Sequence, residues 1–222
     1  MIKALIFDVD GTLAETEEAH RQAFNDTFAA NGMNWVWDVP TYGILLKTTG
    51  GKERMQAYQL AYRADEPQLD WTRIKALHAQ KTERYVEILA TGGLVLRDGV
   101  ADLITRAQKA GIRLAIATTT SRPNVDALTA CCWEKAPEDI FEVIATGEQV
   151  KAKKPAPDLF ELALKGLNLP ASDCLAFEDS RNGVLSATGA GIRTIVTPGR
   201  YTEDDDFSGA AEVIPSLVGF SF

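Results

Sequence analysis

The chain has little cysteine, a deficit of positive charge and no long apolar run. Its 222 residues include three cysteines, an odd number. Cys131 and Cys132 are adjacent and Cys174 lies in an apolar stretch. No Cys-x-x-Cys pair or nearby histidine reads as a metal site. Reduced, structural thiols are expected, as in a reducing cytosol. No run approaches the length of a membrane span. The first apolar stretch, Ala4 to Phe7, is broken by Asp8 and is too short for a signal peptide. A cytoplasmic protein with no membrane partner is expected. Lys and Arg number 23 against 31 Asp and Glu, a net charge of −8. That balance disfavours nucleic acid and anionic membranes, both of which attract basic surfaces. A small anionic substrate stays open, because a few local cations can outweigh the net charge. Internal repeats, low-complexity tracts and long linkers are also missing. What remains is ordinary globular composition, long enough for one or two domains with a hydrophobic core.

Short apolar runs at residues 3–8, 112–118, 140–145, 173–178 and 193–196 alternate with helical patterns at 100–110, 123–132, 158–167 and 182–189. Alternation of this kind predicts an α/β fold with a Rossmann-like parallel sheet covered on both faces. Ligands of such sheets bind beyond the carboxyl ends of the strands. Residues 204–206, an acidic run, read as a solvated loop. Residues 15–90 read as almost entirely helical, with helices from about Thr16 to Gly32, over 52–63, and from Asp70 to about Leu89. The expected organisation is a core of residues 1–14 and 91–222 with an inserted helical cap of residues 15–90. Two cap positions break the apolar pattern. Lys81 falls among Ile74, Leu77, Tyr85 and Ile88, and His20 among Ala19, Ala23, Phe24 and Phe28. Either the lysine stem snorkels and the histidine is a bonded core residue, or both point into a wet cleft.

Four constellations carry chemistry. Asp8 and Asp10, in "FDVDGTL", crowd one strand end, and Gly11 invites an unusual backbone angle. Two carboxylates so close need a cation or a shared proton. The first remedy suits Mg²⁺ and the second suits acid–base work. Glu178 and Asp179 in "CLAFEDS" form a second acidic pair at a strand end. The hydroxyls of Thr118, Thr119, Thr120 and Ser121 stand between a strand and a helix, where they serve either phosphate or the helix cap. "KAKKPAPD" places Lys151, Lys153 and Lys154 ahead of Pro155 and Pro157; a lysine before proline is held extended or in a turn, and one such lysine balances phosphate and carboxylate charge unless the stretch is simply a basic surface loop.

In this order the motifs resemble those of the haloacid dehalogenase superfamily. The resemblance spans the chain, including a helical cap after the first motif. It implies that Asp8 is the nucleophile, forming an aspartyl-phosphate, and that Asp10 is the general acid and then the base. It implies Mg²⁺ held by Asp8, the Asp10 carbonyl and Asp179, with Glu178 in contact or just behind. Thr118 and Thr119, with Thr120 beside them, would hold the phosphoryl group, and Lys154 would pair with it and with Asp8. Superfamily dehalogenases lack an aspartate at the position of Asp10, so its presence favours phosphoryl transfer.

"FDVDGTLAETEEAHRQAFN" and "TTGGKERM" are similar to a branch that dephosphorylates xylulose 1,5-bisphosphate, an inhibitor of the carbon-fixing carboxylase. They are also similar to the β-phosphoglucomutases. A sugar bisphosphate needs a second anion site, for which Lys52, Arg54 and Lys81 are the cap cations. Lys52 and Arg54 compete for the leading place. Gly50 and Gly51 would let backbone approach the ligand, and Glu15 and His20 would bind sugar hydroxyls or orient Asp10. The expected partner is a small phosphorylated sugar, and the expected state a monomer. The alternatives are a phosphomutase of the β-phosphoglucomutase type and, outside enzymes, a sugar-phosphate binding module.

Overall fold

The structure is a computed structural model and describes residues 1–222. Two compact units are formed, one by Met1–Thr16 with Leu94–Phe222 and one by Glu17–Gly93. Both junctions fall two or three residues later than the sequence pattern places them. Local bonding explains the shift. The Thr16 N–H donates to the Ala14 carbonyl, and the Thr16 hydroxyl donates to Asp10. The N–H groups of Thr91 and Gly92 return to the carbonyls of Ile88 and Leu89, closing the last turn of a helix.

The first unit contains β1 (Ala4–Phe7), α5 (Val100–Lys109), β2 (Arg113–Ala117), α6 (Arg122–Trp133), β3 (Val143–Ala145), α7 (Asp158–Leu167), β4 (Cys174–Glu178), α8 (Arg181–Gly189), β5 (Arg193–Val196) and β6 (Glu212–Val213), while α1 to α4 belong to the second. The strands form one parallel sheet in the order β3-β2-β1-β4-β5-β6. β1 is central, and the order reverses between β1 and β4, the place where such sheets bind ligands. Every residue of β1 and β4 is buried, as both faces are covered. On one face Ala4, Ile6, Ala115, Ala117 and Ala176 pack with Leu159, Phe160 and Ala163 of α7. On the other, Phe7 stacks on Phe177 at 4.7 Å and meets Phe141 edge-on at 6.4 Å. Each such buried Phe contributes about 1.5–3 kcal/mol relative to exposure. β1 is thereby a rigid post for the residues that follow it.

The second unit contains α1 (Glu17–Ala30), α2 (Val39–Leu45), α3 (Gly51–Tyr62) and α4 (Trp71–Ala90), with α1 packed along α4. Its core is aromatic: Trp37 lies 4.5 Å from Phe24, 5.0 Å from Phe28 and 5.5 Å from Tyr58. The Asp70 carboxylate caps α4 by accepting from the Arg73 N–H at 2.7 Å. The buried stripe of α4 ends on Leu89 rather than Ile88, and in α1 Thr27 is buried where Ala19 is only partly so.

Two elements escape the sequence pattern. α2 is short and contains Pro40 and Gly43. Its signal was nonetheless present, since Asp38 caps the Thr41 N–H and Pro40 sits in the first turn. β6 is two exposed residues beside β5. Conversely, Ile140 and Phe141 lie before β3, next to a 3₁₀ turn at Pro137–Asp139, so their apolarity reflects burial and not strand. The acidic run at 204–206 is more than solvated loop: Asp205 accepts from the Arg181 N–H and Asp206 pairs with the Arg181 guanidinium. The three cysteines are free, and burial pushes the Cys132 and Cys174 thiols up to about 11. No helix is long and apolar enough to cross a membrane.

Candidate active site

Asp8 directly follows β1, and its N–H donates to the Phe177 carbonyl of β4 at 3.0 Å. Its carboxylate is buried, with one oxygen 2.6 Å from Lys154 Nζ and the other 3.3 Å from the Thr12 hydroxyl. Lys154 Nζ also reaches Glu178 Oε1 at 2.5 Å and lies over the Phe160 ring. Glu178 is the last residue of β4 and wholly buried, and its Oε2 accepts no hydrogen bond. Asp179 follows, with its carbonyl accepting from the Thr202 hydroxyl at 2.7 Å. Parallel pairing of β1 and β4 in register, Phe7 opposite Phe177, brings the two acidic pairs together.

One buried ammonium thus faces two buried carboxylates. Burial pulls the Lys154 pKa down, but Asp8 and Glu178 outweigh it and hold the ammonium charged. Burial pushes Glu178 up to about 8, with Asp8 adding to the rise and Lys154 opposing it. Burial also raises Asp8, against the pull of Lys154. The surplus negative charge calls for a proton or a further cation.

The donor set fits a hard divalent cation. Ligand oxygens of Asp8, Glu178 and Asp179 lie within 4.8 Å of one another, and no sulfur or imidazole is among them. The unpartnered Glu178 Oε2 is a second observation of the same kind. Gly11, at φ +82°, is needed here: a Cβ would stand 2.2 Å from Asp179 Oδ2. The Asp10 carboxylate does not join this group. It accepts from the Thr16 hydroxyl at 2.6 Å, so two aspartates that look equivalent in sequence have different hydrogen-bond partners, though the Asp10 charge still acts on Asp8.

Thr118 is buried at the end of β2 and its hydroxyl accepts from the Thr120 N–H at 3.2 Å. The Thr119 carbonyl packs against Gly147, where a Cβ would be 2.3 Å away. The Thr120 hydroxyl accepts from Asn124 Nδ2 at 2.8 Å. Ser121 Oγ and Asn124 Oδ1, both buried at the start of α6, have no partner. Asn124 escaped the sequence reading, because its place one turn into the helix emerges only from the fold.

Of the residues expected to recognise the sugar, Glu15 lies in the first unit and the others in the second. The Glu15 carboxylate lies 3.3 Å from Arg97 Nε and accepts from the Arg200 N–H at 3.4 Å; Thr16, not Glu15, bonds Asp10. Lys81 does not snorkel. Its Nζ is buried 2.5 Å from His20 Nδ1 and lies over Phe24 and Tyr85, while the His20 ring stacks on Tyr85 at 4.0 Å. His78 packs closely against Gly51, where a Cβ would stand 2.6 Å from its Nε2. Gly50, at φ +95°, starts α3. Lys52 is half-buried in its first turn. Arg54 Nη1 donates to the Tyr42 hydroxyl at 3.1 Å, Tyr42 donates to Glu17 at 2.7 Å, and Arg54 Nε is buried without a partner. Tyr42 lies in the overlooked α2, so sequence reasoning did not find it.

Residues 2–191 match the haloacid dehalogenase-like hydrolase family. The chain belongs to that family. As a family member it is a hydrolase. It is 57% identical to CbbY of Rhodobacter capsulatus over 216 residues, which are 97% of this chain and 94% of the relative. A mutant CbbY of Rhodobacter sphaeroides, crystallised with xylulose 1,5-bisphosphate, superimposes with a TM-score of 0.94 at 51% identity, over 99% of this chain and 96% of that one. A β-phosphoglucomutase of Clostridium difficile shares the fold, with a TM-score of 0.83, at 20% identity over 100% of this chain and 94% of that one.

Proposed function

We propose that the chain is a Mg²⁺-dependent phosphatase that removes one phosphate from a small sugar bisphosphate, xylulose 1,5-bisphosphate foremost. The observation that carries this reading is that Asp8 pairs with Lys154 while Asp10 accepts from Thr16, which supports different roles for the two acids. An Asp8 oxygen attacks phosphorus, the bond from phosphorus to the sugar oxygen breaks, and Asp10 gives that oxygen its proton. Asp10 then takes a proton from water as the water attacks the aspartyl-phosphate, releasing inorganic phosphate and restoring Asp8. Lys154 keeps the nucleophile in place and pairs with the charge on the transferring group. Thr118 and Thr119 hold its oxygens, with Thr120 shaping the turn. Asp8, the Asp10 carbonyl and Asp179, with Glu178 in contact or just behind, would hold Mg²⁺, which would offset the repulsion between a carboxylate and a phosphate dianion.

On the helical unit, Arg54 is the better candidate than Lys52 for a second phosphate. Tyr42 fixes its guanidinium while Nε keeps an open donor. The choice of xylulose 1,5-bisphosphate is supported by the 51% identical CbbY crystallised with that sugar. The reading extends to a role in removing a carboxylase inhibitor during carbon fixation. The test is to incubate the purified chain with xylulose 1,5-bisphosphate or β-glucose 1-phosphate and follow free phosphate and glucose 6-phosphate. Phosphate release from the bisphosphate is expected. Glucose 6-phosphate formation without phosphate release would overturn the reading in favour of a mutase.

A further inference from the structure

Behind the acidic pairs stands a residue that no motif assigns. Arg97 Nη1 donates to the Gly11 carbonyl and, at 2.7 Å, to the Thr197 carbonyl. Its Nη2 donates to the Pro198 carbonyl at 2.6 Å, and its Nε lies 3.3 Å from Glu15. One guanidinium therefore joins two loops. The first, after β1, carries Asp8 and Asp10. The second, after β5, holds Asp179 through Thr202, whose hydroxyl donates to the Asp179 carbonyl while accepting from the Gly199 N–H at 2.8 Å.

These loops have little freedom to drift. A Cβ on Gly11 would be 2.2 Å from Asp179 Oδ2, and one on Gly199 would be 3.1 Å from the same atom and 3.5 Å from the Gly11 carbonyl. The Asp179 carboxylate is thus enclosed by the two loops that Arg97 ties together. The Gly11 carbonyl that Arg97 binds belongs to the residue right after Asp10, so the guanidinium acts one peptide away from the Asp10 carbonyl. The Arg97 N–H also donates to the Leu13 carbonyl at 2.9 Å, fixing the arginine to the same loop. Carbonyl oxygens gathered this closely repel one another unless a cation sits among them. A planar guanidinium with five donors satisfies three carbonyls and a carboxylate at once, which an ammonium on a shorter stem does not.

We infer that Arg97 is a positioning residue that sets the distance between the Asp10 backbone and Asp179, and so the affinity of the site for a divalent cation. This rests on the reading of Asp8, Asp10 and Asp179 as the residues that hold the metal.

The test uses Mn²⁺ binding to the full chain, followed by electron paramagnetic resonance, beside phosphate release as a function of Mg²⁺. Arg97→Ala and Arg97→Lys should each weaken Mn²⁺ binding about 10-fold or more, the usual effect of losing a group that orients metal ligands. The Mg²⁺ needed for half-maximal rate should rise in step, with KM for the bisphosphate unchanged at saturating Mg²⁺. Free guanidinium, below denaturing concentration, should restore Mn²⁺ affinity to Arg97→Ala and leave the wild type unaffected. Wild-type affinity in both variants, even with a lowered melting temperature, would overturn the inference. Loss of the folded state in both would also overturn it, leaving Arg97 a stability residue. Failure of the wild type to bind Mn²⁺ would sink the metal-site reading and this inference with it, and is distinguished by needing no variant.

Discussion

At the scale of single residues, Asp8 carries an ammonium on one oxygen, and Asp10 carries a neutral hydroxyl. Asp8→Asn should lower phosphate release by about 10³-fold or more, since no nucleophile remains. Asp10→Asn should cost roughly 10²–10⁴-fold, the range for a lost general acid. Single-turnover rates of the two variants check both. Glu178 sets a pH dependence. In the folded chain its carboxyl is pushed from 4.5 up to about 8, so between these values the folded state holds a proton that the unfolded chain has released. With EDTA present, stability should therefore fall as pH rises from about 4.5 to 8 and level off beyond. Urea midpoints across that range should show the slope in the wild type and a flatter one in Glu178→Gln. The four motifs were legible in sequence because each is a short run at a strand end. Thr16, Arg97 and Asn124 were not assigned these contacts, because a lone polar residue carries no signal of the partner that folding gives it.

At the scale of elements, α8 makes a test against ordinary propensity. Gly183 lies inside that helix, where alanine normally adds up to about 1 kcal/mol of stability. Here a Cβ would stand 1.8 Å from Glu178 Oε2 and 2.0 Å from its Cδ. Gly183→Ala should instead destabilise by about 1–3 kcal/mol, as overpacking does, and should lower activity by pushing Glu178 off Lys154. Chemical denaturation and phosphate release check the two parts. The strands and longer helices were legible because their periods are regular and their ends are marked, as at Asp70 before α4. α2 was not, since Pro40 and Gly43 count against a helix until the Asp38 cap is recognised. Residues 140–141 show the opposite error, in which burial under Phe7 and Trp133 mimics a strand.

At the scale of the molecule, the fold gathers like charges at one sheet edge, and a ligand that relieves them should stabilise the whole chain. Mg²⁺ at 100-fold its dissociation constant should add about 2.7 kcal/mol, while EDTA should abolish phosphate release and Mg²⁺ restore it. Thermal unfolding with and without Mg²⁺ measures the first part. The Asp8→Asn variant should show a smaller Mg²⁺ shift than the wild type, since one ligand has lost its charge.

The sequence by itself determined the parallel α/β architecture, the helical insertion and the residues at the strand ends. These follow from local periodicity and from runs of neighbouring residues, which the chain carries before it folds. Tertiary structure alone decided how those residues divide. Parallel register of β1 with β4 brought Asp8 beside Glu178, the loop before α7 put Lys154 between them, a turn at Gly11 sent Asp10 to Thr16, and a distant arginine closed the loops behind them. It also turned Lys81 and His20 toward each other and gave Glu15 to Arg97. The Lys154–Asp8 pair joins residues 146 positions apart. Composition and spacing do not encode them, because the energy of a buried polar group depends on the one partner that packing brings within reach.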